Sequence, residues 1–369
     1  MRCFTLNKKA RVGLLNFQYS KDNYGAVLQA AALERLVKKR VENVEHIDYR
    51  PQRNRIRLLL SAIVKRLLNK NSRNDSNNAL SSQGFESFRV KFISRTPIIF
   101  NKKKFRVESA NYDAIIVGSD QVWRPTMGGD PLVFFLNYCN PSVRKISYAA
   151  SFGLRDWGAP MGSGFSKRVK KALNDFDFVS VREDSGKDIC RKFDVNAEHV
   201  LDPLLLVEDQ FFDEIIANFD QESKSRLPSF VYYKLDTSHK FREELAELEN
   251  NFKKVAHNLY ISPDGSSYEL VENWISYIFY SELVLTDSFH CLCLALRFGK
   301  PVLLMKNDHR GKARFDSFFK MFNIQIKSTQ NINHPEIIYL EPPEDFNVRL
   351  EEMRKFSNEF LDNALSEFL

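Results

Sequence analysis

Three observations predict an α/β protein of two domains built on mostly parallel sheets. Short apolar runs alternate with segments of helical period along most of the chain. The 369 residues exceed what one typical core organises and suit two. Residues able to do chemistry recur just after the apolar runs, where open parallel sheets hold their ligands.

The elements follow in order from the N-terminus. Val12 to Phe17 predicts a buried strand, Asp22 to Gly25 a capped turn, and Ala26 to Arg40 a helix with Leu28, Leu33, Leu36 and Val37 facing inward. Val44 to Tyr49 is the second strand, ended by Pro51. Arg53 to Lys70 is basic and sets Ile56, Leu59, Leu60, Ile63 and Leu67 on one helical stripe, before a polar loop from Asn71 to Gln83. Tyr112 to Val117, Lys145 to Ala149 and Phe176 to Val181 are further strands, and His199 to Leu201 is a short one closed by Asp202-Pro203. A second series opens at Phe230 to Leu235. It continues with strands at Lys254 to Tyr260, Leu283 to Thr286 and Pro301 to Met305, and with helices at Tyr268 to Tyr280 and Ser288 to Phe298. Pro343 to Leu369 reads as one long helix able to return to the first domain. The expected division is therefore 1–205, 206–342 and a terminal helix 343–369.

Composition excludes several classes. An apolar share of 43% and a charged share of 27% are ordinary for a globular chain, which argues against disorder or a fibrous repeat. Five scattered cysteines (Cys3, Cys139, Cys190, Cys291, Cys293) lack framework spacing and point to reduced thiols. Neither a secretory signal nor an apolar span of bilayer length is present, so a cytoplasmic location is expected. The net charge of +7 is partly gathered between Arg50 and Arg106, but without a nucleic-acid motif, so no nucleic-acid partner is expected. The stripe from Arg53 to Lys70 suits either packing on its own domain or peripheral contact with the inner face of an anionic membrane.

Among residues that follow strands, His290 in Thr286-Asp287-Ser288-Phe289-His290 is the sharpest candidate. Asp287 or Ser288 would cap a helix there, and the helix start offers backbone donors and a positive dipole end to an anion. A histidine in that first turn can bind phosphate or act as a general acid; the alternative is a buried structural histidine. Arg182 directly follows a strand and suits a carboxylate or phosphate, or else pairs with Glu183 or Asp184. His309, Arg310, Lys312 and Arg314 form a basic cluster after the strand ending at Met305, which a solvated loop would equally explain. Asn23, Tyr24, Gly25, Asp120 and Gln121 are polar or permissive positions at strand ends that fit sugar contacts or turn formation alike. His290-Cys291-Leu292-Cys293 spreads its side chains around a helix and has no partner pair elsewhere, so no metal is expected. Dinucleotide and nucleotide phosphate loops of glycine-rich type are absent.

Five segments in order carry a family resemblance: Asn23 to Gln29, Tyr112 to Trp123 with Gly118-Ser119-Asp120-Gln121-Val122-Trp123, Ser147 to Gly153, Val181-Arg182-Glu183, and Thr286 to His290. The sequence resembles the polysaccharide pyruvyl transferases from about Val12 to about Ile324. That resemblance implies two Rossmann-like domains facing a cleft in a GT-B-like arrangement. It implies phosphoenolpyruvate as donor, a sugar of a surface polysaccharide or its lipid-linked precursor as acceptor, a pyruvate ketal as product, and no further cofactor. It maps the family's donor-site arginine onto Arg182 and its donor-site histidine, the candidate acid, onto His290; beside them Ser288, Phe289, Arg310 and Lys312 are expected at the donor, and Asn23, Tyr24, Gly25, Asp120 and Gln121 at the acceptor. Several members carry arginine and leucine where this chain has Ser288 and Phe289, which leaves Arg310, Lys312 or Arg314 to supply the missing cation. A GT-B-type glycosyltransferase using a nucleotide sugar, or a non-catalytic glycan-assembly protein, remains the alternative on the same scaffold.

Overall fold

The computed structural model describes residues 9–50, 80–126, 130–219, 227–235, 239–262, 264–305, 312–326 and 336–368. Arg53 to Lys70 and Arg310 therefore lie outside the described residues.

The first half of the chain forms β1 (Arg11–Leu15), α1 (Tyr24–Lys38), β2 (Asn43–His46), α2 (Gln83–Phe92), α3 (Lys102–Ser109), β3 (Ala114–Val117) and β4 (Arg144–Ala150). It continues with α4 (Gly164–Asn174), β5 (Phe178–Val181), α5 (Asp184–Arg191), β6 (Glu198–His199), α6 (Pro203–Leu206) and α7 (Asp209–Ile216). The second half forms β7 (Phe230–Tyr233), α8 (His239–Phe252), β8 (Ala256–Asn258), α9 (Val271–Tyr280), β9 (Leu283–Thr286) and α10 (Phe289–Arg297). It ends with β10 (Val302–Met305), α11 (Lys312–Phe322), β11 (Ile337–Leu340) and α12 (Phe346–Leu365).

Six parallel strands make one sheet in the order β2-β1-β3-β4-β5-β6. The other runs β11-β10-β9-β7-β8 and is parallel except for β11, which pairs antiparallel with β10. The strands β1, β3, β9 and β10 are almost wholly buried because helices cover both faces, which is why they read as unbroken apolar runs rather than alternating ones. The two Rossmann-like sheets are those the resemblance implies, and the last helix returns to the first domain, as its apolar spacing allows. The return is made by α12: Ser357 Oγ accepts the Leu201 N–H at 3.0 Å, Arg40 Nε donates to Asp362 at 2.7 Å, and Phe360 packs against Tyr148 and Phe178.

Local chemistry shifts several expected boundaries. The first helix opens at Tyr24 rather than Ala26, since Asn23 accepts the Ala26 N–H and caps it. Tyr268 to Leu270 stay extended instead of joining α9, because Tyr268 bridges Ile261 and the Glu269 carbonyl accepts the Tyr24 hydroxyl at 2.9 Å. The strand expected from Lys254 to Tyr260 keeps only Ala256–Asn258, an edge strand with half-buried residues. The two domains share apolar packing: Tyr24 of α1 stacks on Trp274 of α9 with ring centroids 5.0 Å apart. Among the described residues no helix is long and apolar enough to cross a membrane.

Candidate active site

Val181 ends β5 at the carboxyl edge of the first sheet, and the next residue turns a guanidinium into the space between the domains. Arg182 Nη1 donates to Asp202 Oδ2 at 2.6 Å and lies 3.4 Å from Ser119 Oγ and 2.9 Å from His290 Nε2. Asp202 is fixed from its other side, since Oδ1 accepts the Leu204 N–H at 3.0 Å and so caps α6. Burial alone would pull the Arg182 guanidinium down, but the carboxylates of Asp202, Asp120 and Glu183 outweigh it and raise its pKa. Burial would raise the Asp202 carboxyl, yet the Arg182 guanidinium beside it holds it well below the usual carboxylate range. Asp202 is therefore an anion buried beside a cation.

From the second domain, Thr286 ends β9 and organises the turn into α10: its hydroxyl donates to the Tyr233 carbonyl and accepts the Ser288 N–H. Asp287 accepts from Lys234 Nζ at 2.7 Å and from the Leu235 N–H at 3.0 Å. Ser288 occupies the cap position but makes no side-chain cap bond, and Asp287 faces the preceding loop, so neither residue caps α10 as expected. His290 follows in the first turn, 5% exposed. An arginine nitrogen has only hydrogens to offer, so at 2.9 Å it is His290 Nε2 that accepts from Arg182.

Gly25 is what lets the two helix starts meet. A β-carbon placed on it would lie 2.2 Å from His290 Nδ1 and 2.4 Å from Cγ, so no side chain fits between α1 and the imidazole. The room beside Gly25 is thus taken by the His290 ring. Tyr24 is fully buried in the interface, with its hydroxyl donating to the Glu269 carbonyl at 2.9 Å and lying 3.4 Å from the Tyr260 carbonyl.

The other expected residues divide. Phe289 is at the centre, with the Arg182 guanidinium 4.9 Å and the Arg314 guanidinium 5.3 Å above its ring. Lys312 is exposed at the start of α11, whereas Arg314, two residues on, is buried. Asp120 Oδ1 lies 3.7 Å from Arg182 Nη2, and its backbone takes a φ of 73°, the left-handed region that aspartate tolerates better than most residues. Gln121 accepts from Arg124 at 2.8 Å and packs on Gly153. Asn23 remains exposed at the cap of α1.

Asp202, Ser119 and Glu183 were not singled out from the sequence. Glu183 does not pair with Arg182 through a hydrogen bond; its Oε1 accepts from Ser151 Oγ, Phe152 N and Gly153 N at 2.8 to 3.0 Å, holding the loop after β4 against the site. Asp184 turns instead to α11, where its N–H donates to Ser317 Oγ at 3.0 Å. Among the described residues no group of three or more His, Cys, Asp or Glu is placed to hold a metal ion.

Among solved structures, the chain is similar to a UDP-GlcNAc 2-epimerase from Neisseria meningitidis bound to UDP-GlcNAc, with 11% identity over 97% of this chain and 100% of that one and a TM-score of 0.45. It is also similar to the E. coli heptosyltransferase WaaC with ADP, with 10% identity over 79% of this chain and 86% of that one and a TM-score of 0.37. Among curated proteins none matches. The family model for polysaccharide pyruvyl transferase matches residues 23–309, a span that contains Gly25, Ser119, Arg182, Asp202 and His290. With that match over most of its length, the chain belongs to the polysaccharide pyruvyl transferase family.

Proposed function

We propose that the protein transfers a pyruvyl group from phosphoenolpyruvate to two hydroxyls of one sugar in a surface polysaccharide or its lipid-linked precursor, forming a pyruvate ketal. The observation that supports this most is the buried Arg182–Asp202–His290 cluster where the carboxyl ends of β5 and β9 converge. An enolpyruvyl donor needs a cation for its anionic groups and an acid for its methylene carbon, and the cluster offers one of each.

In this reading the donor's anion draws Arg182 away from His290 Nε2. The imidazole then takes up a proton on Nε2, with Asp202 Oδ2 at 3.5 Å to orient that N–H. The π electrons of the enol accept the proton from Nε2, turning the methylene into a methyl group. One sugar hydroxyl attacks the adjacent carbon, the carbon–oxygen bond to phosphate breaks with its electron pair leaving on phosphate, and the second hydroxyl closes the ketal. Two hydroxyl protons are released: one replaces the proton His290 gave, and the other departs with inorganic phosphate. Asp202 acts as a positioning residue, and no cofactor is consumed.

Titration calorimetry with phosphoenolpyruvate and with nucleotide sugars tests the donor. Binding of phosphoenolpyruvate but not of nucleotide sugars is expected. Binding of a nucleotide sugar alone would assign the scaffold to glycosyl transfer, and binding of neither would favour a non-catalytic glycan-assembly role.

A further inference from the structure

Arg182 Nη1 stands near three acceptors but carries two hydrogens. Asp202 Oδ2 at 2.6 Å and His290 Nε2 at 2.9 Å are its short contacts, and Ser119 Oγ at 3.4 Å is the long one. The two hydrogens are therefore spent on Asp202 and His290, and the Ser119 hydroxyl is held by other groups. Ser119 is fully buried, two residues past the end of β3.

The Ser119 hydroxyl has one proton and two places to put it. Its oxygen lies 3.2 Å from the Ala149 carbonyl and 3.3 Å from Asp202 Oδ2. A hydroxyl turns about its carbon–oxygen bond and donates to one of them at a time. While Arg182 sits on Asp202 Oδ2, that oxygen is already met by a charged donor, and the hydroxyl proton serves the carbonyl. When the donor's anion draws Arg182 away, Asp202 Oδ2 loses its shortest contact. Two donors remain within reach of it: the Nε2–H of a protonated His290 at 3.5 Å, and the Ser119 hydroxyl at 3.3 Å. A buried carboxylate short of donors is costly, and a hydroxyl bonds an anion more strongly than a neutral carbonyl. The other carboxylate oxygen is tied to the Leu204 N–H at 3.0 Å, which confines the exchange to Oδ2.

We propose that Ser119 is a positioning residue whose hydroxyl turns from the Ala149 carbonyl to Asp202 Oδ2 as Arg182 turns to the donor, so that Asp202 stays an oriented anion beside His290. The proton remains on Ser119 throughout; only its acceptor changes. This rests on the enolpyruvyl donor proposed above.

Titration calorimetry with phosphoenolpyruvate tests the switch in Ser119→Cys and Ser119→Ala, each alone and combined with Asp202→Asn. Cysteine comes close to the volume of serine but is a weak donor. Both single variants should weaken phosphoenolpyruvate by roughly 10-fold, because binding then leaves Asp202 Oδ2 short of a donor. Wild-type affinity in Ser119→Cys would show that volume and not the proton matters, and would overturn the switch while leaving the donor assignment standing. In the Asp202→Asn background no carboxylate awaits the proton, so Ser119→Cys should add no more than about twofold. A further loss of about 10-fold there would also overturn it. If Ser119→Cys does not fold, Ser119→Ala decides: donor affinity equal to wild type, or a full loss in both backgrounds, would contradict the switch. A wild-type protein that binds no phosphoenolpyruvate would overturn the donor assignment and the switch together.

Discussion

Arg182 and Arg297 are both buried arginines that tie the two halves of the molecule together, but they spend their hydrogen bonds differently. Arg297, in the last turn of α10, commits both terminal nitrogens: Nη1 to the Leu204 carbonyl, and Nη2 to the Val207 carbonyl at 2.7 Å and to Asp209. Arg182 gathers its bonds on Nη1 and leaves Nη2 over, while Nε has no hydrogen-bond partner in either arginine among the described residues. Their charges are also met differently: burial lowers Arg297 to about 10, with Asp209 only partly offsetting it, whereas the acids around Arg182 raise it. One arginine has its ends tied by backbone carbonyls and a carboxylate, as a structural bond does. The other is held in place by part of its fork while the rest waits for an acceptor, as a binding group does.

That contrast can be broken or sharpened by substitution. Among substitutions outside the reacting groups, Gly25→Ala should lower activity most, because the new methyl group displaces the His290 ring. A displacement on the order of 1 Å is expected to lower kcat by about 100-fold, and overpacking of this buried contact should also cost about 1–3 kcal/mol in thermal unfolding. Arg297→Met should affect stability alone, costing about 3 kcal/mol in urea unfolding through two abandoned carbonyls and a lost charge contact, with kcat unchanged. Tyr24→Phe removes a hydroxyl that two carbonyls share and should cost about 1 kcal/mol in the same unfolding measurement.

The smallest effect concerns pH. His199, whose Nε2 donates to the Arg182 carbonyl at 2.9 Å, is held below its ordinary value of 6.5 chiefly by burial, against that carbonyl bond and nearby acids. Its folded pKa lies below its unfolded one, so the unfolded chain binds more protons in that window. Its contribution to stability is complete above about pH 6.5 and is lost as the pH falls from there through the lower folded value. Urea midpoints at pH 7.5 and 5.5 should differ less in His199→Gln than in wild type; an equal drop in both would remove His199 from the pH response.

Most strands were legible because they are buried on both faces and leave continuous apolar runs, such as Ala114–Val117 and Leu283–Thr286. The helices Gln83–Phe92 and Lys102–Ser109 were not, although Phe85, Phe88 and Phe92 recur at helical spacing; the surrounding charge hid them. In the site, His290 and Arg182 were legible from their places after strands. Asp202 followed the same rule, but Pro203 behind it read as a simple stop, and its partners lie 20 residues away in Arg182 and across the domains in His290. Gly25 was legible as a close-approach position, but the group that approaches it comes from the other domain, which local pattern does not encode. Arg314 was one of four cations in a basic run, and only packing separates it from exposed Lys312.

The central claim is that His290 and Arg182 carry out enolpyruvyl transfer. It is tested most directly by incubating wild type and His290→Asn with phosphoenolpyruvate and a panel of lipid-linked glycans, following phosphate release and the ketal methyl group of the product by NMR. Wild type should release phosphate in step with the new methyl signal, and His290→Asn should be slower by roughly 1,000-fold with an unchanged thermal midpoint. Normal transfer by His290→Asn would contradict the account.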